Sequence, residues 1–310
     1  MTENIDITVE FAGLKLANPV FTASGTCGYA DELAELTNIK GLGGFVTKSI
    51  TLKPRKGNPL PRIVETDAGM LNAIGLANVG VDAFITEKIP LIEKLGVPVF
   101  VNVAGSTIEE YVLVTEKLAG QKAIAGIELN ISCPNVNKGG ISFGTDPIQV
   151  SEITSAVKRA SGEKILMVKL SPCVTDISVT AKAAVEAGAN ALSMVNTFTA
   201  MVIDIETATP MLANRTGGLS GPAIKPMAVY LVSKVYNEVA KAANVPIMGL
   251  GGIRTASDAI EFIIAGATVV AVGTANFMNP NCTGKIIDGI KKYCIRKNKT
   301  VKELVGSLKT

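Results

Sequence analysis

The sequence contains no histidine and no tryptophan, and aromatic residues make up only 5% of its 310 residues. Without histidine, a Ser-His or Cys-His catalytic pair and any His-ligated metal site are excluded. General acid–base chemistry must therefore use Cys, Lys, Asp, Glu or Tyr. Charged residues are also few, at 18%, and the formal net charge of +3 is too weak to indicate a nucleic-acid-binding surface.

Closely spaced cysteine pairs are lacking as well, since none of the five cysteines shows CxxC spacing. Because CxxC spacing is absent, the sequence contains no evident set of cysteine ligands for zinc or an iron–sulfur cluster. Four of the cysteines are interpreted as small buried hydrophobic residues: Cys27, Cys173, Cys282 and Cys294. Because the N-terminus has no signal-peptide core and no apolar run reaches membrane-spanning length, we expect a cytoplasmic protein with no membrane partner.

Short apolar runs, by contrast, are abundant, since hydrophobic residues make up 47% of the chain and the mean hydropathy is +0.36. Such values are typical of parallel sheets buried on both faces. Eight β-rich runs are too short for helices and end in polar or glycine residues: Val20–Ala23, Phe45–Lys48, Val99–Val103, Gly126–Asn130, Leu166–Leu170, Ala191–Val195, Pro246–Gly249 and Thr268–Val272.

Helical stretches alternate with these runs. Asp176 is expected to cap a helix over Ile177–Ala187, and Ser257 is expected to cap one over Asp258–Ala265. Eight strands alternating with helices predict a TIM (β/α)8 barrel that forms a single domain over residues 1–310. A doubly wound parallel sheet is the alternative, although no GxGxxG follows the first strand.

Three segments lie outside this repeat. Residues Ile5–Glu10 and Leu14–Leu16 predict a small β-hairpin at the bottom of the barrel. The gaps Thr51–Pro98 and Thr197–Ala243 exceed the length of one helix. Long loops after barrel strands lie on the catalytic face, so both gaps are expected to form extra loops or walls there.

The carboxyl ends of barrel strands carry function, and here they carry mostly lysine, asparagine, hydroxyl and glycine residues: Ser24, Lys48, Ser49, Asn102, Asn130, Lys169, Asn196, Thr197, Gly251, Gly252, Gly273 and Thr274. The glycine turns after strands seven and eight favour a backbone phosphate site, with ordinary tight turns as the alternative. A further glycine loop, Gly217–Gly221, is equally consistent with a flexible lid hinge.

Three residues in or just beyond the central strands are unusual for their positions. If Asn130 and Lys169 point into the barrel, Glu128 is expected one layer deeper, and a buried carboxylate needs a partner, for which Lys169 is the obvious candidate. Two roles are therefore predicted for Lys169, a structural ion pair with Glu128 and a cation beside a cofactor, and one side chain can fulfil both. Cys133 lies in a loop beyond a strand end, between polar residues, which distinguishes it from a small buried hydrophobic residue.

Four motifs in the same order resemble those of the dihydroorotate dehydrogenases: Asn72–Leu76 (NAIGL), Asn102–Gly105 (NVAG), Asn130–Asn135 (NISCPN) and Gly249–Ile253 (GLGGI). The resemblance extends over about Val9–Asp288. Within the family, the segments Glu65–Met70 and Asn135–Gly140 are similar to the NAD-linked class 1B catalytic subunit. Class 1A has a proline-rich continuation after its cysteine, and class 2 uses serine as base and carries a membrane segment.

This resemblance implies an FMN-containing barrel that oxidises dihydroorotate to orotate in pyrimidine synthesis, with Cys133 as general base, hydride transfer to FMN and Lys169 beside the flavin. It also implies a partner subunit with FAD and a 2Fe–2S cluster that passes electrons to NAD, in a heterotetramer of two chains of each kind. FMN would contact Ser24, Lys48, Ser49, Asn102, Asn130, Lys169, Val195, Gly221, Gly251, Gly252, Gly273 and Thr274. The substrate would contact Lys48, Asn72, Ala73, Ile74, Gly75, Leu76, Asn130, Asn196 and Thr197.

Four other functions remain open at this point. A fumarate-linked class 1A enzyme shares the chemistry but not the acceptor. A dihydrouridine synthase combines a flavin barrel with a cysteine, but it needs a basic surface that a net charge of +3 does not supply. A Schiff-base aldolase could use Lys169, and a flavin-binding module could lack catalysis altogether.

Overall fold

The computed structural model describes residues 5–30, 39–131 and 143–309. The strands are β1 Val9–Phe11, β2 Leu14–Leu16, β3 Val20–Thr22, β4 Gly44–Val46, β5 Ile63–Thr66, β6 Gly69–Asn72, β7 Val99–Val103, β8 Gly126–Asn130, β9 Ile165–Lys169, β10 Ala191–Met194, β11 Phe198–Ala200, β12 Ile203–Asp204, β13 Thr209–Pro210, β14 Gly217–Ser220, β15 Ile247–Leu250 and β16 Val269–Val272.

The α-helices are α1 Val81–Ala83, α2 Ile89–Ile92, α3 Ile108–Ala119, α4 Pro147–Ala160, α5 Ile177–Glu186, α6 Lys225–Val235, α7 Lys241–Ala243, α8 Ala256–Ala265, α9 Ala275–Met278, α10 Cys282–Lys297 and α11 Val301–Leu304. Short 3₁₀ helices cover Ile39–Gly41 and Pro222–Ile224, and π-helical turns cover Phe84–Lys88 and Tyr236–Ala240. None of the helices in the described ranges is both long and apolar enough to cross a membrane.

Eight parallel strands close into a barrel in the order β3, β4, β7, β8, β9, β10, β15, β16, with β16 pairing back to β3. The prediction of a TIM barrel is therefore confirmed, and the doubly wound sheet is excluded. All eight predicted strands are present; β7 and β8 have the predicted bounds, and the ends of the others differ by at most two residues. Strand β4 shows the largest difference, since it ends at Val46 rather than at Lys48.

The predicted N-terminal hairpin is also present, as β1 pairs with β2 in antiparallel register. Phe11 of this hairpin is fully buried, and its ring lies 6.3 Å from that of Phe21 and 6.2 Å from that of Phe100. A Cβ atom at Gly126 would lie 2.5 Å from the Phe100 ring, so the aromatic side chains fill the available space. The hairpin thus closes the amino-terminal end of the barrel with an aromatic cluster.

The two long gaps predicted from the sequence form one four-stranded antiparallel sheet, in the order β11, β14, β6, β5. This accessory sheet has a small core of its own, in which Leu71, Ala73 and Leu212 are buried. Both insertions follow the carboxyl ends of barrel strands, β4 and β10 respectively. The sheet therefore stands on the catalytic face, as predicted.

One helix cap is confirmed and one is wrong. Asp176 caps α5 by accepting a hydrogen bond of 2.9 Å from the backbone N–H of Ser178. Helix α8, however, is capped by Thr255 in a capping box with Asp258, and Ser257 already lies inside the helix. A capping box requires a side-chain acceptor three residues after the cap. Asp258 supplies it for Thr255, whereas Ser257 would face Ile260.

Candidate active site

A buried carboxylate lies at the centre of the barrel. Glu128 of β8 is 1% exposed, and its Oε1 accepts a hydrogen bond of 2.6 Å from the Ser193 hydroxyl. Its Oε2 accepts one of 2.5 Å from the Asn102 amide and lies 3.8 Å from the Lys169 Nζ. The predicted pairing of Glu128 with Lys169 is confirmed, and the two further hydrogen bonds satisfy the charge that burial would otherwise destabilise.

Lys169 ends strand β9 and is itself only 4% exposed. Its Nζ donates a hydrogen bond of 2.9 Å to the Ser24 hydroxyl, which follows β3 on the far side of the barrel. The ammonium is therefore held between Ser24 above and Glu128 below. This position is compatible with both predicted roles, because one cation can neutralise the buried carboxylate and still face the barrel mouth.

Asparagines at three strand ends are linked through their side chains. The Asn102 Oδ1 accepts hydrogen bonds from the Ser49 hydroxyl at 2.5 Å and from the Asn130 Nδ2 at 3.5 Å. The Asn130 Oδ1 in turn lies 3.3 Å from the Asn196 Nδ2. The Tyr111 hydroxyl fixes the backbone by donating to the Asn130 carbonyl at 2.7 Å. The structure thus brings together four of the residues predicted at the strand ends.

The accessory sheet connects Asn72 to the same group. Asn72 pairs with Gly218, and its Nδ2 donates to the Gly218 carbonyl at 3.4 Å. A Cβ atom at Gly218 would clash with the Thr197 side chain, so Thr197 lies directly over this glycine. The Thr197 N–H donates to the Asn196 Oδ1 at 2.9 Å. The predicted substrate residues therefore form one continuous wall from Asn72 to Asn196.

The predicted substrate segment after Asn72 (Ala73, Ile74, Gly75 and Leu76) is held by Asn58, a residue that the sequence reading missed. The Asn58 N–H donates to the Ile74 carbonyl at 3.1 Å, and its Nδ2 donates to the Ala73 carbonyl at 2.9 Å. Gly75 adopts a φ of +73°, and a Cβ atom there would lie 2.6 Å from Asn58. Asn58 lies in a proline-rich stretch, and no periodic signal distinguishes it there.

Two further predicted contacts lie at strand ends. Lys48 is half-buried just beyond β4, where its backbone N–H donates to the Gly28 carbonyl at 2.9 Å. Val195 is buried just beyond β10, and its N–H donates to the Leu250 carbonyl at 3.0 Å. Both backbones are thus fixed by neighbouring elements of the barrel.

The predicted glycine turns converge on the opposite side of the mouth. Gly221, Gly251 and Gly252 have φ values of +95°, +135° and +74°, which side chains rarely adopt. A Cβ atom at Gly252 would lie 2.7 Å from the Gly221 carbonyl oxygen. Nearby, the Thr274 hydroxyl donates to the Ser220 hydroxyl at 2.8 Å. Gly273 lies against the first barrel strand, since its Cβ would be 3.5 Å from that of Ala23.

A salt bridge that the sequence reading missed fastens these turns. The Lys225 Nζ lies 2.7 Å from Asp258 and 2.8 Å from Glu261. The second Asp258 oxygen accepts from the backbone N–H groups of Arg254 and Thr255, at 3.0 and 2.9 Å. Burial opposes ionisation of Asp258, but these hydrogen bonds outweigh it and lower its pKa. Hydrogen bonds to Asp258 and Glu261 raise the pKa of Lys225.

Two cysteines need separate comment. Cys133, the predicted base, lies outside the described residues, together with the rest of the segment 132–142. The interpretation of Cys173 as a buried residue is wrong, because it is exposed in the loop after β9, with its Sγ 3.8 Å from the Thr199 hydroxyl. Its position after Ser171 and Pro172 brings it to the rim of the barrel rather than into the core. Cys27, Cys282 and Cys294 are buried as predicted.

Comparison with known proteins agrees with this architecture. A sequence profile described as "Dihydroorotate dehydrogenase" matches residues 6–294. The chain belongs to the dihydroorotate dehydrogenase family. This family is flavin-dependent, and the resemblance found in the motifs is confirmed.

Curated relatives cover nearly the whole chain. The protein named "Dihydroorotate dehydrogenase B (NAD(+)), catalytic subunit" from Geotalea uraniireducens is 53% identical over 306 residues, or 98% of this chain and 99% of the relative. Proteins of the same name from Geotalea daltonii and Maridesulfovibrio salexigens are 52% and 48% identical, with 98% of this chain covered in each case. The two matches extend over 98% and 99% of the relatives' own lengths, respectively.

The residues at the mouth fit a flavin mononucleotide. Such a cofactor combines a polar ring system with a phosphate. The nearly buried ammonium of Lys169 and the Asn130 amide supply charge and hydrogen bonds suited to the ring. The turn at Gly251 and Gly252 has positive φ at both residues, and a glycine turn of this kind after a barrel strand suits the phosphate because its backbone N–H groups can donate to an anion.

Proposed function

We propose that the chain is the catalytic subunit of an NAD-linked dihydroorotate dehydrogenase, which oxidises (S)-dihydroorotate to orotate in de novo pyrimidine synthesis. It would act as one FMN-binding domain over residues 1–310. The observation that carries this proposal is the single barrel mouth, where Lys169 and Glu128 face the linked asparagines on one side and the glycine turns lie on the other. Relatives of that name, 53% and 52% identical, support the substrate.

The oxidation breaks two C–H bonds of the substrate, at C5 and C6, and forms a double bond between these carbons. FMN, which Lys169, Asn130 and the turn at Gly251 and Gly252 would hold, would supply the two-electron oxidising power when bound, with the electrons leaving C6 as a hydride. The proton at C5 is next to a carbonyl group and is therefore weakly acidic. Cys133, which lies in the motif Asn130–Asn135 that the chain shares with the family, would take this proton as a thiolate and become a thiol.

Lys169 supplies fixed positive charge to the mouth. Its ammonium is 4% exposed and is held by Ser24 at 2.9 Å, so it does not need to reorganise when a ligand binds. A preorganised charge in a site that excludes water stabilises negative charge on a bound ring far more than a solvated one does. Lys169 would thus favour the electron-rich form of the bound cofactor.

The asparagine wall would orient the substrate. Asn72, Asn130 and Asn196 offer amide donors and acceptors that match the carboxylate and ring amides of dihydroorotate. Lys48, which follows β4, and Thr197, which follows β10, lie at strand ends on opposite sides of the barrel and would complete the contacts. The accessory sheet stands over the same face and would limit the access of water.

The electron acceptor follows from the relatives. Their name, a "catalytic subunit" of the NAD(+) type, indicates a separate electron-transfer subunit. From the resemblance to class 1B, FAD and a 2Fe–2S cluster would lie on that partner, in a heterotetramer of two chains of each kind, and the lack of CxxC spacing in this chain agrees with that division. A fumarate-linked class 1A enzyme is the competing assignment.

Anaerobic reduction of the purified protein tests the activity. A yellow protein whose flavin absorbance bleaches with dihydroorotate is expected, and an unchanged flavin spectrum would refute the proposal. Turnover is then measured with NAD⁺ and with fumarate, with and without a candidate partner subunit. We expect NAD⁺ reduction that depends on the partner, whereas fumarate reduction by the chain alone would support class 1A.

Substitution of Cys133 tests the base. Cys133→Ala should retain FMN but lose most turnover, and Cys173→Ala, which removes the exposed thiol, should behave like wild type. A free thiol has a pKa of about 8.5, and only the thiolate can accept the proton. Turnover should therefore rise with pH through the mildly alkaline range. Wild-type turnover in Cys133→Ala would show that another group removes the proton.

A further inference from the structure

We propose that Glu128 is a positioning residue, which fixes the amide orientation of Asn102 and, through Asn102, that of Asn130, and so shapes the hydrogen-bonding pattern presented to the pyrimidine ligand. Glu128 lies below the mouth and acts through these side chains rather than on the ligand itself. The inference rests on the proposed function only for the identity of that ligand.

The first step is the contact between Glu128 and Asn102. A carboxylate only accepts hydrogen bonds, whereas an amide has one accepting end and one donating end. Asn102 is fully buried and must therefore turn its Nδ2 toward the Glu128 Oε2, at 2.5 Å. The Ser193 hydroxyl holds the other carboxylate oxygen at 2.6 Å, so the carboxylate is fixed on both sides.

The second step carries this orientation outward. With its Nδ2 used below, Asn102 presents Oδ1 to the Ser49 hydroxyl and to the Asn130 Nδ2. Asn130 then presents Oδ1 to the Asn196 Nδ2. Each amide thus repeats the direction of the one beneath it, and reversal of any one would place two donors or two acceptors against each other.

The lengths of these contacts show where the direction is determined. The bonds at the buried end measure 2.5 and 2.6 Å, whereas the two amide–amide contacts above measure 3.5 and 3.3 Å. Weak amide–amide contacts could form equally well in the opposite sense. The carboxylate has no donor, so it determines the sense of the Asn102 amide and, through that amide, favours the sense of Asn130. The sense of Asn196 is also held by the Thr197 N–H, which donates to its Oδ1 at 2.9 Å.

A simpler role for Glu128 would be neutralisation of Lys169. The geometry favours positioning, because the ammonium is 3.8 Å from the carboxylate and donates instead to the Ser24 hydroxyl at 2.9 Å. The two shortest contacts of Glu128 go to uncharged partners. The two roles nevertheless predict different behaviour for two conservative variants.

The test is a titration of the oxidised holoenzyme with orotate, in which binding is monitored by the change in flavin absorbance. Glu128→Gln offers an NH₂ as well as an oxygen to Asn102, and Glu128→Asp keeps the charge but is one methylene too short to reach it. Both variants should bind orotate about tenfold more weakly, equivalent to about 1.4 kcal/mol. The KM for dihydroorotate should rise in parallel, with a smaller change in kcat.

Each outcome decides the question. Unchanged orotate affinity in Glu128→Gln would overturn the proposal, and so would wild-type affinity in Glu128→Asp, because charge alone would then suffice. If Glu128→Gln does not accumulate with FMN, Glu128→Asp and Ser193→Ala decide, and weaker orotate binding is expected in both. If the wild-type protein neither binds orotate nor bleaches with dihydroorotate, the proposed function is refuted. If the wild type binds orotate and the variants bind it equally well, only the positioning role of Glu128 is refuted.

Discussion

The two sides of the barrel mouth are built on different principles. The side-chain half consists of Asn102, Glu128, Asn130 and Lys169 on β7, β8 and β9, which contact one another through hydrogen bonds and an ion pair. The backbone half consists of the glycine turns at Gly221, Gly251–Gly252 and Gly273, where side chains are absent and φ is positive at the first three glycines. The side-chain half therefore supplies charge and hydrogen-bonding groups, whereas the backbone half supplies a tight turn without side chains. Substitutions should affect the two halves in different ways.

The largest effect is expected for Lys169→Met in the side-chain half. This change removes the charge at the mouth and leaves Glu128, 1% exposed, with only uncharged hydrogen-bond partners. We expect turnover to fall about 10²–10³-fold, as for the loss of a preorganised electrostatic group. Turnover of the flavin-loaded variant and its flavin content are the measurements.

The matched control is Lys182→Met, which removes an exposed lysine that lies 3.8 Å from Glu186 on α5. Exposed pairs of this kind contribute about 0–1 kcal/mol to stability, so the control should keep full activity. If Lys169→Met turned over within about threefold of wild type, the charge of the side-chain half would have no catalytic role.

The backbone half should respond to a single added atom. In Gly252→Ala the new Cβ would lie 2.7 Å from the Gly221 carbonyl oxygen, at a φ of +74°. The residue must then shift, with strain of about 1–3 kcal/mol, and the turn loses its shape. We expect FMN affinity to fall about tenfold, which corresponds to 1.4 kcal/mol, as measured by fluorescence titration of the apoprotein.

Gly284→Ala provides the control, because a Cβ atom there meets nothing within 4 Å and the residue lies inside α10. This change should leave FMN affinity as it is and slightly raise the melting temperature, since alanine favours a helix over glycine. Unchanged FMN affinity in Gly252→Ala would mean that the glycine turn does not hold the cofactor.

The sequence predicted the individual residues of both halves better than the links between them. The eight barrel strands were recognisable because each is a short apolar run ending in polar or glycine residues, and Lys169 and Asn130 could be placed at strand ends from that pattern alone. The pairing of Lys169 with Glu128 followed from the two-residue period of strands.

Links between distant elements were not predictable. Ser193 is a small buried residue within β10, and only the structure shows that it hydrogen-bonds to Glu128. Asn58 holds the predicted substrate segment from a proline-rich loop that has no periodicity. The bridge from Lys225 to Asp258 joins residues of two helices that are 33 positions apart in the sequence, and no local pattern indicates it. Such contacts depend on how the barrel closes, which no local pattern encodes.

A smaller effect is expected from the salt bridge behind the glycine turns. Lys225→Met removes the contacts to Asp258 and Glu261 that tie α6 to α8, at 2.7 and 2.8 Å. Because Lys225 is only partly buried, we expect a loss of about 1 kcal/mol in unfolding free energy and a weaker hold on FMN of about twofold to threefold. Urea unfolding and FMN titration measure these effects, with Lys182→Met as control.

The smallest effect is the pH dependence of the difference in unfolding free energy between wild type and Lys225→Met. It distinguishes an ionic bridge from simple packing of the lysine methylene groups. The pKa of Asp258 is lowered in the folded protein, so its stabilisation is present above the usual Asp pKa of about 3.9 and is lost as the pH falls through the lower folded value. The pKa of Lys225 is raised, so its contribution persists until strongly alkaline pH.

The difference in unfolding free energy between wild type and Lys225→Met should therefore be constant from pH 8 to pH 5 and shrink below about pH 4. Urea unfolding at pH 7, 5 and 3.5 tests this, each variant being compared with Lys182→Met at the same pH. A difference that persists unchanged at the lowest pH would assign the effect to packing of the lysine methylene groups. A shrinking difference would show that the backbone half, which carries no charge of its own, depends on ionic contacts behind it for its shape.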